Sequence, residues 1–384
     1  MCIRDRFRNV YFTGIIRDKK GRKMSKSLGN SPDPLELIAK YGADALRFGT
    51  MRSAPLGQDV LFDEKDVELG RNFCNKLWNA CRFRQMKGGE TEGEIRPELL
   101  TSDDRWILLR LGQAINEVTA AFEAYRFTDA TATLYRFFWS EYCDWYIESC
   151  KATFFGEDAD RKANVLAVVD FVMGNTLRLF HPFLPFITEE LWHGLGFSSD
   201  MPEEQGGRTI MTARWPKAFD TDFCELYGLD DTVDRLVGAK HELVTQGRNL
   251  RAAYNIPFNK KIDYRFQPAG ELNEYEVEVI RILLNAESVA LGSDVPKGTP
   301  RIGSPMGDLF LPLEGLIDFD AERERLAKEL KKIEKEIEKA EAKLNNPKFA
   351  ERAPAEVLEE QRERLTEWQA KRDQINEALG NLSA

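Results

Sequence analysis

The sequence predicts a mainly α-helical fold, with a small α/β module late in the chain and an antiparallel coiled-coil hairpin at its C-terminal end. Three patterns support this prediction. Long amphipathic segments fill residues 64–196, short β-branched runs appear in residues 260–315, and apolar residues follow a heptad pattern in residues 318–384. With 384 residues, the chain is long enough for roughly two to four domains.

The first sixty residues predict a strand, a basic loop and two short helices. Residues 10–17 are rich in β-branched and aromatic side chains, which favours a strand. After the loop, Asp33 is expected to cap a helix, with Glu36 completing a capping box and Gly42 ending the helix. A second short helix is predicted for residues 43–51.

Apolar periodicity then predicts longer helices, at residues 64–86, 103–125, 127–153, 160–180, 183–196 and 231–254. Loops are expected between them at residues 88–98 and 197–207, where Gly, Pro and polar residues cluster. The α/β module is expected to contain a helix at 271–285 and strand-like runs at 261–266, 288–291, 300–302 and 309–313.

The C-terminal segment contains two heptad seams. The first consists of Phe319, Arg323, Leu326, Leu330, Ile333, Ile337, Ala340 and Leu344; the second consists of Leu358, Gln361, Leu365, Trp368, Arg372, Ile375, Leu379 and Leu382. Between them the string NNPKFAERAP breaks the helix. Two seams of similar length joined by a short break predict an antiparallel hairpin, an arm about 40 Å long.

Positive charge is concentrated near the beginning of the chain. The formal net charge is −10, yet residues 1–30 hold nine Lys or Arg and two Asp. Six of these cations fall in the stretch RDKKGRKMSKSLGN, residues 17–30. An acidic chain with one basic loop excludes a general nucleic-acid coat, and it indicates that any phosphate contact is local.

Other classes of site find little support in the sequence. The three histidines and six cysteines are widely spaced without a CxxC pair, so no metal site is expected. The chain contains no continuous apolar run of 18 residues, so no membrane span is expected, and we predict a cytoplasmic protein.

The basic loop has the composition of a phosphate-binding element. Lys23 and Lys26 lie three residues apart, which allows both ammonium groups to contact one triphosphate. The hydroxyls of Ser25 and Ser27 add hydrogen-bond donors for phosphate oxygens. The string matches neither the Walker A pattern nor GxGxxG. On charge alone, a solvated basic loop is the alternative.

The string KMSKS at residues 23–27, followed by LGN, resembles the second active-site motif of class I aminoacyl-tRNA synthetases. The continuation SPDPLELIAKYGADALRFG is similar to the valyl, isoleucyl and leucyl branch. Further strings look most like the valyl enzymes: RNFCNKLWNACRF, DRWIL, YCDWYIE, HPFLPFITEELW, RNLRAAYNIPFNKKI and LEGLIDFDAERERLAKEL. The resemblance covers residues 7–384.

The resemblance implies adenylation of L-valine by ATP, with Mg²⁺ accompanying the nucleotide, followed by transfer to tRNA(Val). By carry-over of the motif, Lys26 and Lys23 are the catalytic candidates that contact the phosphates. The nucleotide-binding set implied by the motif is Lys26, Lys23, Met24, Ser25 and Ser27. The resemblance also implies a protein that is a monomer at full length.

The family pattern is incomplete in this chain. No HIGH-type string is present, no histidine precedes His181, and nothing resembles the editing domain. We therefore expect the C-terminal portion of a longer enzyme, inactive alone and with an N-terminus that need not be native. An isoleucyl-type synthetase and a non-catalytic tRNA-binding module remain alternatives.

The resemblance divides the chain into four predicted domains. Residues 1–62 are the end of the catalytic domain with the KMSKS loop and stem-contact helices, and residues 63–258 are an anticodon-binding helical bundle. Residues 259–316 are the small α/β module, and residues 317–384 are a coiled-coil arm that binds tRNA.

Several further residues have two interpretations. The aromatic-rich helix at 132–150 is interpreted as bundle core rather than as a base-stacking surface. Four basic residues near the module contact phosphates or lie on a solvated face: Arg248, Arg251, Lys260 and Lys261. On the predicted hairpin, an RNA-facing stripe or an ordinary charged surface accounts for Lys331, Lys335, Lys339 and Lys343.

Overall fold

A computed structural model describes residues 9–88, 94–200, 207–292, 294–295, 299–316, 319–345 and 355–381. The chain divides into two compact units, Met1–Val237 and Gly238–Ala384. The first unit is helical apart from two very short strands, and the second combines a four-stranded sheet with helices. The prediction of a mainly α-helical chain is therefore confirmed.

The first unit begins with a parallel pair of strands, β1 (Ile16–Arg17) and β2 (Val60–Leu61). The predicted strand over residues 10–17 is wrong for its first six residues. A strand requires a neighbour paired in register, and β2 is in register only with Ile16 and Arg17, with one further bond from Val60 N to Ile15 O at 3.0 Å. The strand-like composition of residues 10–15 therefore does not produce a strand within the described part of the chain.

Two short helices follow the basic loop, α1 (Pro34–Tyr41) and α2 (Ala43–Arg52). Gly42 joins them at φ 94°, a conformation that L-residues with a Cβ rarely adopt. Asp33 caps α1 as expected, but its carboxylate accepts from Leu35 N at 2.9 Å. The predicted capping box with Glu36 is wrong, because the cap forms a tight turn to the second helical residue.

The rest of the first unit is a bundle. Its elements are α3 (Glu64–Met86), α4 (Ser102–Glu123), α5 (Phe127–Tyr135), a π-helical stretch (Arg136–Tyr146), α6 (Ile147–Phe155), α7 (Ala159–Phe180), α8 (Pro185–Gly194), α9 (Phe197–Asp200), α10 (Thr221–Tyr227) and α11 (Asp231–Ala253), the last of which runs into the second unit. The predicted long helices are all present. The short helices α9 and α10 were not predicted, and α9 lies in a segment predicted to be a loop.

Aromatic rings fill the centre of the bundle. Phe73 stacks on Phe48 at a centroid distance of 4.7 Å and lies 5.1 Å from Phe180. From the aromatic-rich helix, Phe137, Phe138, Tyr142 and Tyr146 are fully buried. Burial of each such ring contributes about 2–3 kcal/mol of hydrophobic stabilisation. The interpretation of this helix as bundle core is confirmed.

Helices α2 and α3 cross with their backbones in contact. A Cβ added to Gly70 would lie 2.3 Å from Ala45 O, and one added to Gly49 would lie 2.3 Å from Asp66 O. Both distances are far below van der Waals contact, so only glycine permits this crossing. The crossing fixes the two helices that follow the basic loop against the bundle.

Helix α7 is long and apolar enough to cross a membrane by length and composition alone. However, 78% of its most apolar window is buried inside the fold. Val168, Val172 and Met173 are in the same core cluster as the aromatic rings. The composition of α7 is therefore accounted for by its place in the bundle core.

The second unit contains a mixed sheet with strand order β4–β3–β6–β5. The strands are β3 (Asp263–Pro268), β4 (Ser288–Leu291), β5 (Arg301–Ser304) and β6 (Gly307–Phe310). The crossover from β3 to its parallel neighbour β4 contains α12 (Glu274–Leu283). The α/β character predicted for residues 260–315 is confirmed, although β3, β5 and β6 are shifted by one to three residues from their predicted bounds.

The C-terminal segment forms two long helices that pack against each other, α13 (Phe319–Leu344) and α14 (Ala355–Asn381). In α13 the buried residues are Leu326, Ile333, Ile337 and Ala340, and in α14 the buried residue is Ile375. All five occupy predicted seam positions. Most of the predicted break, residues 346–354, and Leu382 lie outside the described residues.

Candidate functional site

The basic loop is folded back on strand β1. Met24 N donates to Ile16 O at 3.4 Å, and Arg17 forms an isolated antiparallel bridge with Lys23. Between them the chain reverses in a turn, in which Gly21 N donates to Asp18 O at 2.8 Å. The first lysine of the KMSKS string is therefore held beside the strand rather than at the end of an unsupported loop.

Residues 25–29 form a single 3₁₀ turn. Ser25 is its N-cap, and the Ser25 hydroxyl accepts from Leu28 N at 3.3 Å and lies 3.3 Å from the Ser27 hydroxyl. Gly29 closes the turn at φ 60°, with its N–H donating to Lys26 O at 3.1 Å. The serines of the string therefore shape the turn, and Lys26 is its first residue.

The six cations of the loop fall into two groups. Arg17 pairs with Asp59, Lys19 with Asp63 at 2.9 Å, and Arg22 with Asp18 at 2.7 Å. The other three, Lys20, Lys23 and Lys26, make no ion pair with any residue that the structure describes. Two of these three are the lysines of KMSKS. Their ammonium groups are exposed and available to an anionic ligand.

A cavity of about 430 Å³ lies beside the loop. Its lining is mostly apolar and includes Ile15, Ile16, Met24, Leu37, Leu46 and Phe62, with Lys23 as its basic residue. Of the predicted site residues, Lys23 and Met24 line the cavity, whereas Ser25, Lys26 and Ser27 do not. The predicted site residues therefore form one continuous loop with two faces, one toward the cavity and one toward solvent.

Two polar residues of this site were missed in the sequence. The Asn30 amide donates to Asp18 Oδ2 at 3.0 Å and to Lys23 O at 3.3 Å, while its oxygen accepts from Ser25 N at 2.9 Å. Hydrogen bonds from Asn30 and Arg22 lower the pKa of Asp18 well below its usual range. An Asp before a turn and an Asn after a glycine are common loop residues, so neither was a signal by itself.

Two arginines of α11, Arg248 and Arg251, donate hydrogen bonds to backbone carbonyls of the fold. Arg251 is only 2% exposed and donates to the carbonyls of Leu284 at 3.3 Å and Pro257 at 2.6 Å. Arg248 donates to Leu283 O at 2.6 Å. Leu283 and Leu284 end α12, where carbonyls lack partners within the helix. For Arg251, phosphate contact and a solvated face are both wrong, because its guanidinium satisfies buried carbonyls.

The described ranges contain no group of three or more His, Cys, Asp or Glu side chains that could hold a metal ion. The five described cysteines are free, and burial raises the pKa of the Cys74 and Cys143 thiols to about 12. These thiols are protonated and unreactive at neutral pH.

Comparisons with known proteins match three parts of the chain to protein families. Residues 2–63 match the class I tRNA synthetases for I, L, M and V, and residues 104–265 match the anticodon-binding domain of tRNA ligase. Residues 318–383 match the valyl tRNA synthetase tRNA binding arm. The basic loop lies inside the first match, and α13 and α14 lie inside the third.

Curated relatives match nearly the whole chain. The valine–tRNA ligase of Listeria innocua is 38% identical over 98% of this chain, and that of Carboxydothermus hydrogenoformans is 40% identical over 98%. The chain is therefore similar to valine–tRNA ligases over 98% of its length. It spans 42% of the length of each of these two relatives.

A solved structure gives a more distant likeness. The ternary complex from Agrobacterium radiobacter described as LeuRS-tRNA-LeuAMS is 24% identical and has a TM-score of 0.42. The matched region covers 54% of this chain and 24% of the synthetase chain in that complex.

The predicted lysine stripe lies within the match to the tRNA binding arm of the valyl enzymes. Lys331, Lys335, Lys339 and Lys343 are all exposed on α13. Lys339 pairs with Glu336 at 2.6 Å, which lowers the pKa of that glutamate. The other three make no ion pair within the described part of the chain. The stripe is accessible to a ligand along its length.

Proposed function

We propose that this chain is part of a valine–tRNA ligase, which activates L-valine with ATP and transfers the valyl group to tRNA(Val). The observation that carries the proposal is the KMSKS loop, in which Lys23 and Lys26 present ammonium groups without an ion-pair partner among the described residues. The similarity of the chain to valine–tRNA ligases, and the location of this loop inside the class I synthetase match, support the same reaction.

The loop acts on the phosphates of ATP. As the bond to the leaving pyrophosphate breaks, negative charge grows on the phosphate oxygens, and a fixed ammonium group stabilises that charge. Lys26 is the principal contact and Lys23 the second. Ser25 and Ser27 shape the turn and add hydroxyl donors, and Met24 anchors the loop in the apolar cavity. Mg²⁺ accompanies the nucleotide.

The other domains bind tRNA. Residues 1–62 supply the end of the catalytic domain, residues 63–258 the anticodon-binding bundle, residues 259–316 the small module, and residues 317–384 an antiparallel coiled-coil arm. The matches to an anticodon-binding domain and to a tRNA binding arm support this assignment. Retention of tRNA(Val) on a filter in preference to tRNA(Ile) would favour the valyl over the isoleucyl alternative.

We further propose that the chain is inactive alone, cytoplasmic, and a monomer as part of the full-length enzyme. The KMSKS loop contacts one end of ATP, and a HIGH-type motif that would contact the other is absent from the sequence. Retention of tRNA(Val) with no exchange of pyrophosphate into ATP is the expected behaviour of the isolated chain. Exchange activity of the isolated chain would contradict this part of the proposal.

The decisive experiment replaces Lys26 in a full-length valine–tRNA ligase that contains this segment. Lys26→Ala is expected to lower valine-dependent pyrophosphate exchange about 10²- to 10³-fold, because one charge contact to the transition state is lost. Valine binding should change far less. Lys65→Ala removes an exposed lysine from the first turn of α3 and is the matched control. Equal exchange rates for Lys26→Ala and the parent would exclude the proposed role.

A further inference from the structure

Asn30 makes three hydrogen bonds that together involve both sides of the KMSKS loop. Its oxygen accepts from Ser25 N at 2.9 Å, and its amide group donates to Lys23 O at 3.3 Å and to Asp18 Oδ2 at 3.0 Å. A side-chain amide has one acceptor oxygen and two donor hydrogens, and here each finds a partner. One side chain thus fixes the backbone on either side of Met24 and joins it to the preceding turn.

Asp18 is held in place by three other hydrogen bonds and an ion pair. Its Oδ1 accepts from Lys20 N at 3.0 Å and Arg22 N at 2.9 Å, its Oδ2 accepts from Arg22 Nε at 2.8 Å, and Arg22 Nη2 lies 2.7 Å from the same oxygen. Its side chain is only 12% exposed. The turn is therefore a rigid support for Asn30, because Asp18 is fixed by backbone and guanidinium donors together.

The same contacts keep the lysines available. A carboxylate close to Lys23 and Lys26 would normally pair with one of them and compete with a phosphate. The oxygens of Asp18 are instead occupied by Arg22, two backbone N–H groups and Asn30. The structure therefore contains an acidic residue inside a basic loop without a contact between that residue and either KMSKS lysine.

The Ser25 N–H bond connects Asn30 to Lys26. Ser25 is the N-cap of the 3₁₀ turn whose first residue is Lys26. Fixing the Ser25 backbone fixes the start of that turn, and hence the direction in which the Lys26 side chain leaves the chain. Asn30 is part-buried behind the loop, whereas Lys26 is exposed.

We propose that Asn30, supported by Asp18, is a positioning residue for the phosphate-binding lysines. It acts through the backbone of Lys23 and Ser25, and it does not touch the nucleotide. This inference rests on the proposed function of the loop. Its consequence is that loss of the Asn30 amide misplaces two intact lysines, so the rate of the chemical step falls although both ammonium groups are still present.

The first measurement uses the present chain and does not depend on activity. Limited trypsin digestion reports how often the bonds after Lys23 and Lys26 become accessible. Asn30→Ala is expected to raise both cleavage rates about tenfold, because three hydrogen bonds to the loop are lost. Asn79→Ala, which removes an exposed amide from α3, is the control and should leave both rates unchanged.

The second measurement uses pyrophosphate exchange by a full-length ligase that contains this segment. Asn30→Ala is expected to lower kcat about 10- to 100-fold, with the KM for valine unchanged. Asn30→Asp should be at least as damaging, because it loses both amide donors and places a second carboxylate beside Asp18. The double variant Asp18→Asn with Asn30→Asp restores an amide–carboxylate hydrogen bond of reversed polarity, and it should recover part of kcat.

The outcomes separate this inference from the function on which it rests. A fall in kcat for Asn30→Ala with partial recovery in the double variant supports the positioning role. An unchanged kcat for Asn30→Ala, alongside a large loss for Lys26→Ala, overturns the positioning role and leaves the proposed function standing. Unchanged trypsin cleavage also overturns it, because the hydrogen bonds would then not order the loop. No effect of Lys26→Ala would remove both proposals.

Discussion

Lys23 and Lys26 in the loop, and Arg248 and Arg251 in α11, come from two stretches that each contain several basic residues. In the loop, the KMSKS ammonium groups are exposed and find no ion-pair partner among the described residues. In α11, the guanidinium groups donate to carbonyls at the end of α12, and Arg251 is almost fully buried. The lysines of the loop are available to a ligand, whereas most N–H donors of the two arginines are hydrogen-bonded to backbone carbonyls.

The difference arises from what surrounds each cation rather than from its charge. A helix C-terminus leaves carbonyls without partners, and an arginine from a neighbouring helix can satisfy several of them at once. The loop has its own internal donors, since Ser25, Gly29 and Asn30 close its backbone hydrogen bonds. Its lysines are therefore not needed for folding, and they can serve a ligand.

The largest loss of stability is expected for Lys240, a buried cation that belongs neither to the loop lysines nor to the two arginines. Lys240 is 0% exposed and pairs with Glu276, which is 4% exposed, at 2.6 Å. Lys240→Met leaves a buried carboxylate without this cation, so the unfolding free energy of the second unit should fall by about 3–5 kcal/mol. Urea denaturation measures this change. Lys23→Met in the loop is the control and should change the unfolding free energy by under about 0.5 kcal/mol.

The double variant Lys240→Met with Glu276→Leu tests the cause of that loss. Removing both charges leaves no unpaired buried ion, so most of the lost stability should return. A double variant no more stable than Lys240→Met alone would show that packing, not the ion pair, makes Lys240 indispensable.

A smaller loss is expected for Arg251→Met. The change leaves the Pro257 and Leu284 carbonyls without this charged donor in a buried setting, which should cost about 2–3 kcal/mol in urea denaturation. Lys261→Met, at an exposed position nearby, should stay within about 0.5 kcal/mol of the parent. Similar unfolding free energies for the two variants would contradict the structural role assigned to Arg251.

The smallest effect concerns His181, a cation that forms only at low pH. Burial lowers the pKa of His181 below its ordinary value of 6.5. The unfolded chain therefore binds a proton more readily than the folded one, and stability attributable to His181 decreases as the pH falls through 6.5. His181→Gln should make the unfolding free energy of the first unit decline less between pH 7 and pH 5.

Asp44 opposes this trend and so requires a matched comparison. Burial raises the pKa of Asp44, so the folded state holds that proton more tightly and is favoured as the pH falls. Asp44 also interacts electrostatically with His181, so the comparison is made between Asp44→Asn and the double variant Asp44→Asn with His181→Gln, neither of which contains the Asp44 carboxyl. Parallel curves would contradict the assignment to His181.

Much of the fold could be predicted because its signals are local or periodic. Heptad spacing predicted the buried seam residues of α13 and α14, and the apolar period predicted the long helices of the bundle. The strand at 10–17 could not be predicted correctly, because strand formation depends on a neighbouring strand, and that strand is in register only with Ile16 and Arg17. Composition does not contain that information.

For the candidate site, the string KMSKS predicted the loop and the two lysines that we propose contact the phosphates of ATP. The structure adds the turn that starts at Lys26 and the contacts of Asp18 and Asn30. Those contacts join residues twelve positions apart through side-chain geometry, which no periodicity reveals. The burial of Arg251 was missed for a related reason, since its partners at the end of α12 lie 33 residues away in the sequence.

The glycine crossing of α2 and α3 has a mechanical consequence. With their backbones in contact at Gly49 and Gly70, the two helices have no layer of side chains between them that could deform. The crossing angle of α2 and α3 is therefore fixed, and the two helices resist both sliding and bending against each other. Substitutions elsewhere along these helices can alter packing by small steps, but a single methyl group at either glycine would push the two helices apart.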